Sequence, residues 1–134
     1  MMVTPLYAGL LALVLLVLSM RVIRSRGSEK IFIGDGGNAS MSRVIRGHAN
    51  FTEYVPLALL LMLMLEMSHF SIYVLHAFGI VLLIARLFHA YALSFTSQFM
   101  FGRVAGASLT LLVIGIEAVL CIYQAIIGHQ LWMR

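Results

Sequence analysis

RVIRGHANFTEYVP, residues 43–56, runs without a break into the apolar block LALLLMLML, residues 57–65. The apolar part alone, Tyr54 to Leu65, is too short for a hydrocarbon core, which needs about 20 helical residues. A spanning helix here must therefore start near Met41. That start puts three polar turns at the headgroup level and just beneath it. At 100° per residue Arg43, Arg46, Asn50, Glu53 and Tyr54 fall within an arc of roughly 100°, while His48 and Phe51 point elsewhere. A carboxylate at the depth of Glu53 is costly unless it is paired or solvated in a cleft. Arg43 or Arg46 of the same helix is near enough to offset it. Two readings stay open: a polar clamp between helices, or one wall of a binding cleft. Two cations, an amide, a carboxylate and a phenol exceed what a clamp needs.

The rest of the chain supports a membrane setting. Of 134 residues, 62% are hydrophobic and only 10% charged, with a mean hydropathy of +1.02, well outside the composition of soluble domains. Besides the block at 54–65, apolar runs cover 1–20, 70–85 and 104–127. The first has no Lys or Arg before it, is followed by Arg21, Arg24 and Arg26, and lacks a small-residue cleavage pattern, so it reads as a retained helix rather than a signal peptide. The expected fold is an all-α integral membrane protein: a single domain, 1–134, forming a four-helix transmembrane bundle with helices near 3–26, 41–67, 70–95 and 102–128. Cys121 is the only cysteine. No intrachain disulfide is possible, and a thiol amid apolar residues reads as packing.

Charge placement predicts orientation. Arg21, Arg24, Arg26, Lys30, Arg43 and Arg46 surround the first connection, Arg86 and Arg103 flank the third, and Arg134 lies at the other face. The positive-inside rule puts the first and third connections in the cytoplasm and both termini outside. The basic cluster at 21–30 serves that topology, and no soluble basic domain exists to hold nucleic acid. The linker GSEKIFIGDGGNASMS, residues 27–42, lacks the Gly-Lys-Ser/Thr ending of a phosphate loop, so Gly34, Gly36 and Gly37 read as turn formers, with Ser40 or Ser42 as a cap for the next helix. Asn38-Ala39-Ser40 and Asn50-Phe51-Thr52 match a glycosylation pattern that a cytoplasmic face would leave unused. His69, His76 and His129 show no metal-ligand spacing. Glu117, in the middle of the last apolar run, reads as a paired or protonated structural carboxyl.

A second polar set belongs to the same membrane face as the opening stretch: Arg86, His89 and Tyr91 near the end of the third helix and Arg103 at the start of the fourth. A cleft holding these groups suits a zwitterionic ligand with more than one carboxylate, beside apolar walls open to lipid.

RVIRGHANFTEYVP resembles the helix II signature of the MAPEG family, the membrane-associated proteins in eicosanoid and glutathione metabolism. ARLFHAY, residues 85–91, is similar to the family's helix III ending, and FGR, residues 101–103, to its second arginine position. The resemblance covers the whole four-helix plan and points to a bacterial-type member. It implies a homotrimer with glutathione bound between neighbouring protomers at the cytoplasmic side. Arg46, Asn50, Glu53 and Tyr54 then correspond to glutathione-binding positions, His89 to a ligand position on helix III, and Arg103 to the arginine that stabilises the thiolate. Arg24 is the choice for the helix I arginine that reaches a neighbour's ligand. In the family a tyrosine stands four residues after the position of His89; here that place is Leu93, and Tyr91 inherits the role only if helix III is adjusted.

Glutathione's thiol, like free cysteine, has a pKa of about 8.5, so a guanidinium within about 4 to 6 Å raises the thiolate fraction at neutral pH. The expected activity is a glutathione transferase or peroxidase for detoxification of lipophilic electrophiles dissolved in the bilayer. Glutathione serves as co-substrate, with no metal. The alternative is a non-catalytic glutathione- or lipid-binding scaffold or regulator of the same family. A transporter is disfavoured by the absence of an inverted repeat or broken helix. The expected location is a bacterial inner membrane.

Overall fold

The computed structural model describes residues 2–96 and 98–132, with side chains to Ile126; Arg134 and the His129 side chain, both used in the sequence reading, lie outside the described residues. It contains four α-helices: α1 (Thr4–Glu29), α2 (Ala39–Met67), α3 (Ile72–Ser94) and α4 (Met100–Trp132). All four are long and apolar enough to cross a membrane. The expected bounds shift slightly. α1 runs three residues beyond 26, carrying Arg21, Arg24 and Arg26 on helical backbone, and α2 begins at Ala39 rather than 41.

The cap of α2 is Asn38, not Ser40 or Ser42. Its Oδ1 accepts from the backbone N–H of Ser40 and Met41 at 2.9 and 3.1 Å, satisfying two of the donors that a helix start leaves free. The preceding turn needs glycine three times: Gly34, Gly36 and Gly37 all have positive φ, a region costly for residues with a Cβ. Arg26 ties this turn down, donating through Nη1 to the carbonyls of Ile31 and Gly34.

α2 and α3 form the middle of the bundle. α1 packs on both from one side and α4 from the other. Leu11, Leu18, Phe51, Val55, Ala58 and Leu82 form one core cluster, and Tyr7, Met62, Leu65, Leu75, Phe78 and Val113 another toward the far end. Polar contacts stitch α1 to this centre. Ser19 Oγ gives its proton to the Leu15 carbonyl, so His48 Nε2 is the donor in its 3.1 Å contact with that oxygen. At the other end Tyr7 bonds His76 Nδ1 at 2.9 Å. The Glu66 carboxylate there accepts from the backbone N–H of Val3 and Thr4, placing negative charge on the positive end of the α1 dipole.

α3 and α4 approach closely at Gly106. A Cβ there would stand 2.6 Å from the Ala85 carbonyl oxygen and 2.7 Å from His89 Cβ. The obstacle is backbone, which cannot rotate aside, and small residues at such crossings are what let membrane helices pack. Gly106→Ala is expected to cost about 1 to 3 kcal/mol, measured as a lower midpoint for thermal unfolding in detergent. Gly115→Ala on the same helix, with nothing within 4 Å of the added Cβ, serves as the control and should change little.

Candidate functional site

The outward face of α2 carries the polar groups that the helical arc predicts. Arg46 and Glu53 are exposed, with side-chain accessibilities of 64% and 50%, and their Nη1 and Oε1 atoms stand 3.9 Å apart. At that length and exposure the pair contributes little to stability. Asn50 and Tyr54 are half-buried at the edge facing α4. His48 and Phe51 turn away, His48 toward α1 and Phe51 into the core.

α4 supplies the opposite wall. Ala107, Thr110 and Leu111 join Asn50 and Tyr54 around a cavity of about 40 Å³ whose floor is Arg86 of α3. Arg103, half-buried in the first turn of α4, is four residues before Ala107 and so lies on the same helical face. The groove between α2 and α4 thus brings Arg46, Asn50, Glu53, Tyr54 and Arg103 to one side of the bundle.

The remaining predicted residues sit differently. His89 is buried at 6% exposure, and its Nδ1 lies 3.0 Å from the Arg103 carbonyl oxygen. A carbonyl can only accept, so Nδ1 carries the proton and donates. Nε2 has no partner among the described residues. His89 therefore fixes the start of α4, just behind the groove. Tyr91 is exposed on the outer face of α3, stacked with Phe95 and edge-on to Phe99, away from Asn50 and Tyr54. Leu93 is buried and packs at Gly47, where an added Cβ would meet it at 3.3 Å. Arg24 is exposed on α1, which packs against α2 and α3 on the side away from α4. Neither Arg24 nor Tyr91 joins the groove of its own chain.

Two arginines outside the expected ligand positions take defined places, one of them the Arg86 that the sequence grouped with the cleft. Arg86 is 1% exposed and donates through Nη2 to Asn50 Oδ1 at 2.8 Å. That contact fixes which way the Asn50 amide faces, leaving its NH₂ for other acceptors. Its signal was a lone cation inside the apolar run VLLIARLF, residues 81–88. Arg21, one turn before Arg24, is half-buried: its Nε donates to the Ser94 carbonyl at 3.3 Å and its guanidinium lies 5.3 Å from the Phe95 ring centroid. Glu117 is fully buried and has no hydrogen-bond partner among the described residues.

These features define a class: an all-helical membrane bundle of four helices with a polar groove between α2 and α4, floored by a buried arginine. The chain belongs to the MAPEG family, whose model matches residues 4–123. It is similar to inner membrane protein YecN of Escherichia coli K12, with 44% identity over 90 residues that cover 67% of this chain and 69% of that protein. The protein of the same name from Escherichia coli O6:H1 matches to the same extent.

Proposed function

We propose that the chain is a glutathione-dependent membrane transferase, with peroxidase activity as a second use of the same thiolate. Membership of the MAPEG family supports a glutathione-related role in the membrane. The observation that carries the reading further is the groove itself. One carboxylate, Glu53, suits an α-ammonium; Arg46, the Asn50 amide and the Tyr54 hydroxyl suit carboxylates and peptide carbonyls; and Arg103 stands along the groove at the head of α4. A guanidinium beside the bound thiol favours the anion. The thiolate then attacks an electrophilic carbon, forming the C–S bond and expelling the leaving group with the bonding pair. With a hydroperoxide it attacks the terminal oxygen, releasing the alcohol once the alkoxide takes a proton. A second glutathione then reduces the resulting sulfenic acid to the disulfide and water.

The groove opens on the flank of the protomer, and its Arg46 and Glu53 side chains are too exposed to face lipid alone. A homotrimer covers them with the neighbour's first helix, which is how Arg24 or Arg21 reaches the ligand. The arginines around the α1–α2 and α3–α4 connections support a cytoplasmic groove with both termini outside. The name of the Escherichia coli relatives supports a bacterial inner membrane.

Adding glutathione to the purified protein is expected to produce the ultraviolet absorbance of a thiolate at neutral pH, saturating with glutathione and lost when a lipophilic electrophile consumes it. Saturable binding with no thiolate band would identify a binding member of the family without turnover.

A further inference from the structure

Arg86 places a guanidinium inside a membrane bundle without a counter-charge. It is 1% exposed. The ion pair among the described residues is Arg46 with Glu53 on the outer face of α2, and no carboxylate pairs with Arg86. Glu117 lies seven residues past Thr110 on α4, roughly 10 Å along the axis. What Arg86 does have is partial: Nη2 to Asn50 Oδ1 at 2.8 Å, Nη1 to Thr110 Oγ1 at a long 3.5 Å, and the Phe51 ring 5.3 Å from its guanidinium carbon. Nε is buried and has no partner. A buried cation is tolerated in a membrane when something negative completes it.

The cavity above Arg86 is lined for that purpose. Thr110 donates its proton to the Gly106 carbonyl at 2.7 Å. The Asn50 oxygen is taken by Arg86, which leaves the amide NH₂ free to donate. The Tyr54 side chain forms another wall. With the Thr110 proton spent on Gly106, the donors on offer are the Asn50 amide and the Tyr54 hydroxyl, and the charge is positive. At about 40 Å³ the space exceeds what one water needs but is far below a pocket for a whole small molecule. A water would satisfy Nε and leave the charge unanswered. We propose that this cavity is an anion subsite that takes a single carboxylate group, with Arg86 as the counter-ion and Asn50 and Tyr54 as donors. Assigning that carboxylate to glutathione rests on the function proposed above; the subsite itself does not.

The test uses the full chain purified in detergent, with its thermal midpoint followed as formate replaces gluconate at constant ionic strength. Formate fits the cavity and gluconate does not. The wild type is expected to rise saturably by roughly 3 °C or more, the size expected of a filled site. Asn50→Asp supplies a carboxylate of its own to Arg86, so this variant should have a higher midpoint than the wild type in gluconate and no response to formate. A flat wild-type response overturns the subsite, and so does an equal formate response in Asn50→Asp. Glutathione that abolishes the formate response identifies itself as the natural source of the carboxylate. A formate response in a protein that does not bind glutathione keeps the subsite and removes the glutathione reading. Glutathione that binds without affecting the formate response overturns its assignment as the source.

Discussion

Replacing Arg103 with leucine is expected to lower turnover with a generic lipophilic electrophile by about 10-fold to 1,000-fold, the range for loss of one electrostatic stabiliser, while glutathione still binds. The expectation rests on the position of Arg103. It stands in the first turn of α4 on the face that continues to Ala107, apart from the α2 cluster, and its own carbonyl is held by His89 Nδ1 at 3.0 Å. The backbone that carries the guanidinium is thus fixed from behind. A group that stabilises the thiolate without holding the tripeptide affects the rate and spares the affinity. Binding isotherms and initial rates on the same preparation decide between the roles. Parallel losses in affinity and rate would make Arg103 an anchor.

Glu53→Gln is expected to weaken glutathione binding at least 10-fold, because removing one partner of a desolvated charge pair costs about 2 to 5 kcal/mol. A glutathione analogue lacking the α-amino group should lose much less affinity on the same substitution. The structure sharpens this expectation against the alternative of a structural clamp. At 3.9 Å and about half exposed, the Arg46–Glu53 contact is too weak a tie to hold the bundle, so the thermal midpoint should move little. A marked fall in the midpoint, with both ligands weakened in parallel, would return Glu53 to the clamp role. Titrating both ligands against both proteins separates the two.

Much of this protein was legible before any coordinates. The length and apolarity of four runs dictate four spanning helices, because lipid leaves backbone groups no partner except their own helix. The 100° step of that helix also put Arg46, Asn50, Glu53 and Tyr54 on one face, since residues within a single helix have a fixed angular relation. Boundaries were less legible: Asn38 outcompeted Ser40 and Ser42 as the cap because the glycine turn before it delivers its side chain, not theirs, to the first free N–H groups.

What required the tertiary structure was every relation between helices. Periodicity within α3 cannot say that Arg86 reaches Asn50 on α2, that His89 is spent on the Arg103 carbonyl, or that Tyr91 faces outward with Phe95 and Phe99. Nor can it choose Arg21 over Arg24 as the one that meets the α3 terminus. Those outcomes depend on the rotation and depth of each helix against its neighbours, set by close contacts such as Gly106 against the Ala85 carbonyl. The sequence by itself determined which residues share a helix face. Which faces meet was decided by packing, because in lipid the apolar surfaces of all four helices are equally well solvated and only close fit and polar pairing distinguish one arrangement from another.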